Sequence, residues 1–218
     1  DKRAYRPPWI LQSGTAAEKA LAGEAPAVVE VLPPAPVEVV LREDHVCLVN
    51  GEPFFPIGLW TAPESDKALS ELGAAGFNLV YRTNVTPEVL DRFARQNLKA
   101  AAGIRYAIPS EPDARQRWEA EARARVELTR SHPALLGYFL IDEPLWSGYP
   151  LDPLLEVYRF HRQLDPYRPI WSNEAPRGTV ADCARYGQAC DITGVDIYPV
   201  PEGGSHSEME DKGLTSVG

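Results

Sequence analysis

Six short apolar runs alternate with helical patterns along most of the chain, and this alternation limits the folds open to it. The apolar runs that are typical of buried strands are Phe54–Trp60, Phe77–Arg82, Leu98–Ile104, Leu135–Ile141, Pro169–Ser172 and Ile192–Tyr198. The helical patterns between them are Ser65–Ala75, Pro87–Gln96, Pro112–Ser131, Pro153–Leu164 and a short one around Val180–Tyr186. Strands that are apolar on both faces and alternate with helices are typical of a parallel sheet covered by helices. The sequence therefore predicts an α/β fold.

The ends of the predicted strands distinguish between two α/β architectures. A doubly wound nucleotide-binding sheet carries a glycine-rich turn after its first strand, whereas here Thr61-Ala62-Pro63 follows it. The strands end instead in bulky polar and aromatic residues: Trp60, Tyr81-Arg82, Arg105-Tyr106, Asp142-Glu143, Asn173-Glu174 and Asp196 to Tyr198. Because a TIM barrel builds its active site from the carboxyl ends of its strands, we predict a (β/α)8 TIM barrel.

The number of predicted units indicates that this barrel is incomplete. A whole barrel takes about 250 residues, and only about 20 residues follow Tyr198. We therefore expect a fragment of about six βα units within residues 37–218. A short β-hairpin, predicted from Val37–Leu41 and Val46–Val49, precedes these units. Residues 1–36 are rich in proline and alanine without a sustained period, so we expect a linker or the end of an upstream domain.

Local signals mark several helix ends. Thr86 precedes Pro87, and Asp152 precedes Pro153; each pair has the pattern of an N-cap residue followed by proline in the first turn. Gly76 follows the first helical pattern, where a glycine commonly ends a helix. We predict helix boundaries at these positions.

The strongest chemical signal is the run Leu135–Ile141, which leads directly into Asp142-Glu143-Pro144. Successive strand side chains point to opposite faces, so one carboxylate is expected to reach the barrel mouth while the other supports it. Glycoside hydrolysis needs a carboxylic acid that donates a proton to the leaving oxygen, and a glutamate at a strand end suits this task. From spacing alone, a solvated or loop-capping acidic pair is equally open.

Three segments resemble clan A glycoside hydrolases, in particular the family 2 catalytic barrel. His132 to Tyr138 with Asp142-Glu143-Pro144 resembles their fourth strand, Asn50 to Gly58 the first, and Asp191 to Pro199 the sixth. The resemblance covers about residues 46 to 200. It implies a retaining double displacement with Glu143 as general acid/base. The nucleophile in this clan is a glutamate on the seventh strand, which is expected to lie beyond Gly218.

The resemblance also has a departure that keeps other functions open. The family often has asparagine before the acid/base, where it contacts the sugar 2-hydroxyl; here the residue is Asp142. One alternative is therefore a barrel that binds carbohydrate without hydrolysing it. Another is a metal-dependent barrel enzyme that uses Asp142, Glu143 and Asp196 as ligands, although no histidine lies near a predicted strand end. The glycosidase interpretation needs no cofactor and no metal, and the fragment alone is expected to be inactive.

Further residues at the strand ends complete the predicted substrate site, which consists of Asp142, Trp60, Arg82, Trp146, Trp171, Asn173 and Tyr198. Trp60 and Tyr198 are expected to stack on sugar rings through their apolar faces. For Trp146 and Trp171, sugar stacking and packing at the rim are equally open.

Charged residues near the strand ends have weaker assignments. We expect Arg82 or Arg105 to pair with Asp142 or Glu143 and to tune its pKa. Glu174, expected in a loop, and Asp196, expected inside its strand as a satisfied carboxylate, are less favoured as nucleophiles within the chain.

The charge balance restricts the partners. A net charge of −9 and a pI near 5.0 count against a nucleic-acid surface. No apolar run approaches the roughly 20 residues needed to cross a bilayer, so no membrane partner is predicted. The expected partner is a carbohydrate substrate. The oligomeric state and the compartment stay open, with a secreted or periplasmic location favoured over a cytoplasmic one.

Overall fold

The computed structural model describes residues 37–175, 177–196 and 208–209. In chain order the strands are β1 Val39–Leu41, β2 Cys47–Val49, β3 Glu52–Pro53, β4 Gly58–Leu59, β5 Leu79–Arg82, β6 Lys99–Gly103, β7 Leu135–Asp142, β8 Ile170–Glu174, β9 Arg177–Gly178, β10 Ile192–Val195 and β11 Glu208–Met209. The helices are α1 Asp66–Ala74, α2 Pro87–Ala94, α3 Pro112–Thr129, α4 Pro144–Ser147, α5 Leu151–Leu164 and α6 Val180–Tyr186, followed by a 3-10 turn at Gly187–Ala189. Residues 1–36 and the end of the last predicted strand, with Tyr198, lie outside the described residues.

The main sheet has six parallel strands in the order β4-β5-β6-β7-β8-β10, so each strand pairs with the next one of this set along the chain. A helix lies between each strand and the next, and the sheet curls into a half-barrel. The predicted parallel α/β arrangement is confirmed, and the half-barrel is consistent with an incomplete TIM barrel.

The first predicted strand, Phe54–Trp60, is much shorter than expected, because only Gly58–Leu59 pairs with β5. The side chain of Asn78 takes over hydrogen bonding to the preceding backbone. Its Oδ1 accepts from the Ile57 N–H at 2.7 Å, and its Nδ2 donates to the Phe55 carbonyl oxygen at 2.8 Å. An amide side chain thus adds to the backbone hydrogen bonds that Asn78 and Leu79 donate to the Ile57 carbonyl oxygen.

The predicted helix ends are confirmed in two cases and wrong in one. Thr86 Oγ1 accepts from the Val89 N–H at the start of α2, and Gly76 has a φ of 90° after α1, a left-handed conformation that favours glycine. Asp152, however, is no cap, since α5 begins at Leu151. Its carboxylate lies in the first turn, where the helix dipole favours a negative charge.

The apolar core has two parts, one on each face of the sheet. The larger part packs the helices against the strands and includes Leu69, Leu90, Phe93, Leu135, Leu140, Leu154 and Val157. The smaller part lies on the inner face, where Val39 packs with Leu79, Ala101 and Leu136. The Val39 N–H donates to the Tyr167 carbonyl oxygen, just before β8, at 3.0 Å. The predicted hairpin is therefore confirmed, and it covers the amino-terminal end of the inner face.

Two buried carboxylates at the amino-terminal ends of β7, β8 and β10 have arginine and tyrosine partners. In the first set, called here the Asp165 cluster, Asp165 accepts from Arg168 at 3.1 Å and from the Tyr138 hydroxyl at 2.8 Å. In the second, the Asp191 cluster, Asp191 accepts from the Tyr158 hydroxyl at 2.6 Å and lies 3.4 Å from the Arg162 guanidinium. Buried charges of this kind need such partners.

His161 is the buried histidine of α5, and it stays neutral. Its Nδ1 lies 3.1 Å from the Val157 carbonyl oxygen, and burial lowers its pKa to about 4. Within the described part of the chain, no helix is long and apolar enough to cross a membrane.

Candidate active site

A β-bulge near the end of β7 decides which acidic residue faces the inside of the half-barrel. Phe139 pairs with Trp171 of β8 and Asp142 pairs with Asn173, so three residues of β7 span two of β8. Because strand side chains alternate, the extra residue puts Asp142 on the same face as Phe139. That face is the inner one, since the Phe139 ring contacts Tyr81 and Trp171. The Asn173 side chain donates to Asp142 Oδ1 at 3.0 Å.

Glu143 begins a sharp turn immediately after the bulged strand. Its φ and ψ are 46° and 51°, a left-handed conformation that costs an ordinary residue about 1 kcal/mol or more and is enriched at functional sites. The turn is fixed at both ends, because the Glu143 N–H donates to the Asn173 carbonyl oxygen at 2.7 Å and the Glu143 carbonyl accepts from the Ser147 N–H at 3.0 Å. The strand that leads to the acidic pair therefore ends at Asp142.

Glu174 is a buried acid beside this turn, and the expectation that it belongs to a loop is wrong. It is the last residue of β8 and only 2% exposed. Its Oε2 accepts from the Leu145 N–H at 3.3 Å, while its Oε1 is buried and has no hydrogen-bond partner among the residues that the structure describes. Burial, with the negative charges of Glu143 and Asp142, raises the pKa of Glu174 to about 7.

The signal for Glu174 was present in the sequence but incomplete. Along β8, Ile170, Ser172 and Glu174 are buried while Trp171 and Asn173 between them are half-buried, so the acid continues the face that packs against the helices. The predicted strand stopped at Ser172 because two polar residues follow it. Glu174 is covered because the turn that begins at Glu143 lies beside it, and this turn is on a different strand.

Four aromatic rings line the inner face below Asp142. The Phe139 ring lies 4.8 Å from Trp60, 5.0 Å from Tyr81 and 5.7 Å from Trp171, measured between centroids. Trp60 is 49% exposed, so part of its ring surface is open to a ligand. Gly103 leaves the space for this cluster, since a Cβ there would lie 3.0 Å from the Tyr81 hydroxyl. Sequence reasoning treated Phe139 as strand interior and missed its central position.

The two arginines predicted to pair with Asp142 or Glu143 have other partners. Arg82 pairs with Glu64 at 2.9 Å, and Arg105 pairs with Glu121. The prediction that one of them pairs with Asp142 or Glu143 is therefore wrong, because the two guanidinium groups pair with Glu64, before α1, and with Glu121 of α3.

The remaining predicted residues lie around the rim. Trp146 of α4 packs under the Arg177 guanidinium, 4.2 Å from its ring centroid. Asp196 follows β10 instead of lying inside it, and its N–H donates to the Glu174 carbonyl oxygen at 2.8 Å. Among the described residues, no three His, Cys, Asp or Glu side chains are arranged to hold a metal ion.

Comparisons with known proteins identify the fold. No family model matches the sequence, and no curated protein matches it. The structure is similar to a glycosyl hydrolase family 2 member from Bacteroides cellulosilyticus, with a TM-score of 0.55 and 19% identity over 74% of this chain and 24% of that one. It is also similar to a β-glucuronidase from Parabacteroides merdae, with a TM-score of 0.54 and 12% identity over 74% of this chain and 23% of that one.

A third solved structure gives the same result. The β-D-glucuronidase from Dictyoglomus thermophilum matches with a TM-score of 0.56 and 15% identity over 74% of this chain and 32% of that one. At such identities the likeness establishes the fold. The chain spans about a quarter to a third of the length of these proteins.

Proposed function

We propose that this chain forms the acid/base half of the active site of a retaining glycoside hydrolase, with Glu143 as the general acid/base. The observation that carries the proposal is the end of β7. There a bulge and a left-handed turn follow each other at the carboxyl end of the fourth parallel strand, above an inner face lined with aromatic rings. The likeness of the fold to family 2 structures supports it.

In this mechanism Glu143 acts twice. As an acid it donates a proton to the glycosidic oxygen while a nucleophilic carboxylate attacks the anomeric carbon from the opposite face; as a base it then takes a proton from the water that hydrolyses the glycosyl-enzyme. The two carboxyl groups of a retaining pair lie about 5–5.5 Å apart. The resemblance assigns the nucleophile to a seventh barrel strand beyond Gly218, so the 218 residues alone are expected to be inactive.

The sugar-binding part of the proposal rests on the inner face. The partly exposed ring of Trp60 offers an apolar surface for a pyranose, and the half-buried Trp171 extends the same cluster. Asp142 accepts one hydrogen bond from Asn173, and a carboxylate oxygen retains further acceptor capacity for a sugar hydroxyl. Arg82, Trp146 and Tyr198 complete the proposed rim. The proposed domain is 37–218, preceded by 1–36 as a linker or the end of an upstream domain.

The test uses the intact natural protein and a panel of aryl glycosides. Glu143→Ala is expected to reduce kcat on substrates with poor leaving groups by about 10²- to 10⁴-fold, the usual contribution of general acid/base catalysis. Substrates with activated leaving groups need no acid in the first step, so they are expected to retain that step. Added azide then replaces the base-assisted water and restores turnover as a glycosyl azide of retained configuration. Glu127→Ala, an exposed acid on α3, is the matched control.

The outcomes also separate the alternatives. If the intact protein binds sugars but hydrolyses none of the panel, the function is carbohydrate binding. Hydrolysis that is unchanged in Glu143→Ala contradicts the assignment of the acid/base, and hydrolysis that a chelator abolishes supports the metal-dependent alternative.

A further inference from the structure

Glu174 is the buried titratable group that the proposed mechanism leaves without a role. It lies on the strand next to Glu143 but on the face of the sheet that packs against the helices, so it is not aimed at the inner face with Asp142. The following inference rests on the proposed function only for what Glu143 does in catalysis.

Backbone contacts attach Glu174 to the turn that carries Glu143. Its Oε2 accepts from the N–H of Leu145, two residues after Glu143, and the preceding residue, Asn173, accepts from the Glu143 N–H through its carbonyl oxygen. The turn therefore lies across the end of β8, with the Glu174 carboxyl beneath it. A carboxylate aimed at the first turn of α4 fits the donors exposed there.

The surroundings of Glu174 disfavour its negative charge. Within residues 37–175 and 177–196 its Oε1 has no hydrogen-bond partner, and the residue is almost fully buried. The ionisable groups that face it are Glu143 and Asp142 on the β7 side and the Cys190 thiol before β10. In the described part of the chain no lysine, arginine or histidine pairs with Glu174. Burial and like charges both favour the protonated acid.

We propose that Glu174 is a positioning residue for Glu143, which holds the turn Glu143–Ser147 through the Leu145 N–H and shares its titration with Glu143. The repulsion between the two carboxylates is mutual, so an ionised Glu174 opposes loss of the proton from Glu143. Two groups coupled in this way titrate as a pair. The pairing keeps a proton available at the strand end near neutral pH, where a general acid needs one.

The coupling can be measured without substrate, by following the side-chain carboxyl carbons of the chain labelled with ¹³C-glutamate as the pH is changed. We expect Glu174 to titrate near neutral pH. Glu143→Gln is expected to lower the midpoint of Glu174 by about one pH unit, because it removes one of the negative charges beside Glu174. Glu174→Gln, which lacks this carboxyl, identifies its signal. Gln at position 174 keeps an oxygen for the Leu145 N–H. Glu127→Gln is the control and is expected to leave the Glu174 midpoint unchanged.

Two results would overturn the proposal: a Glu174 midpoint between pH 4 and 5, or a Glu174 midpoint that does not move in Glu143→Gln. If Glu174→Gln fails to fold, the Glu143→Gln variant still reports the coupling through Glu174. In the intact protein, Glu174→Gln is expected to move the basic limb of the pH–kcat/KM profile to lower pH, which a purely structural role would not do. Coupling without any hydrolysis would leave this inference standing and refute the proposed function. Hydrolysis that depends on Glu143 without coupling would do the reverse.

Discussion

Buried carboxylates lie at both ends of strands β7 and β8, and the two ends differ in the partners that these carboxylates have. At the amino-terminal end, Asp165 accepts hydrogen bonds from Arg168 and Tyr138. At the carboxyl end, Glu174 accepts one backbone hydrogen bond, and its other oxygen has no partner in the described part of the chain. Both residues are about equally buried, at 1% and 2% exposure. The two carboxylates therefore differ in having a cationic partner, which is Arg168 for Asp165, and not in their depth of burial.

The Asp191 cluster supports the same conclusion. Burial raises the pKa of Asp191, but Arg162, the Tyr158 hydroxyl and the Ile170 N–H all act in the opposite direction. Glu174 has only the Leu145 N–H to oppose burial and two neighbouring acids. A carboxyl with an arginine and a tyrosine serves the fold, whereas a buried carboxyl among other acids stays protonated near neutral pH. Such groups are enriched at catalytic sites.

The largest effect is expected from removing the cation of the Asp165 cluster. Arg168→Met leaves Asp165 buried without its partner, which typically costs 3–5 kcal/mol, so a loss of about that size in the free energy of unfolding is expected. Urea denaturation followed by tryptophan fluorescence measures it. Arg117→Met, at an exposed position of α3, is the control and is expected to change stability by less than about 0.5 kcal/mol. Equal effects of the two variants would mean that the cluster does not stabilise the fold.

At the carboxyl end of the sheet, a substitution of the buried acid is expected to raise the free energy of unfolding. Since the folded-state pKa of Glu174 is raised from 4.5 to about 7, the folded chain binds more protons than the unfolded chain between those values. Stability therefore falls as the pH rises from about 4.5 to 7. Glu174→Gln removes this loss and is expected to stabilise the chain at pH 8 by roughly 2–3 kcal/mol relative to the wild type.

The measurement is a pair of urea titrations, at pH 4.5 and at pH 8, for each chain. The advantage of Glu174→Gln is expected only at the higher pH. An advantage of the same size at both values would show that the substitution acts through packing and not through ionisation.

His161 is expected to give a pH dependence of the opposite slope. Its folded-state pKa is lowered to about 4, so the unfolded chain binds more protons between pH 4 and 6.5, and stability rises with pH over that range. In the wild type this slope opposes that of Glu174. In Glu174→Gln the opposing slope is absent, so the free energy of unfolding is expected to increase by about 2 kcal/mol between pH 5 and 7. The double variant Glu174→Gln/His161→Phe is expected to show no such increase, and a rise that persists there would assign the slope to other groups.

The smallest effect is expected from Arg82, one of the two arginines that the sequence analysis considered as partners of the acidic pair. Because Arg82 pairs with the exposed Glu64, Arg82→Met is expected to change stability by less than about 0.5 kcal/mol. The midpoint of Glu174 in the ¹³C titration is expected to stay where it is. A clear rise of that midpoint would mean that Arg82 does act on Glu174.

The sequence predicted the parts of this fold that depend on local or periodic signals. Strands buried on both faces are continuous apolar runs, so the order and the parallel direction of the six strands followed from the pattern. The start of α2 followed from Thr86-Pro87, because a cap is formed by neighbours in sequence. The cap predicted at Asp152 was wrong because α5 begins one residue earlier, at Leu151, so the Asp152-Pro153 pair alone does not determine where the helix starts.

The site was less predictable because its geometry depends on contacts between distant residues. Nothing in the residues from Leu140 to Asp142 marks a bulge, which arises from pairing with β8, so the alternation rule alone did not give the facing of Asp142. The burial of Glu174 depends on the turn at Leu145, which lies 29 residues earlier in the chain. The partners of Arg82 and Arg105 lie 18 and 16 residues away, beyond the reach of any spacing argument.

The bulge in β7 makes the choice of the inward-facing acid a matter of chain length. Loss of one codon at Leu140 or Ile141 would remove the bulge and leave Asp142 opposite Asn173, whereas one added codon would turn Asp142 to the other face and bring Glu143 to the inner one, without any change in side-chain chemistry. Substitutions at these two positions leave the register intact. Across related genes, the segment between Phe139 and Pro144 is therefore expected to tolerate insertion less readily than the intervening apolar residues tolerate replacement.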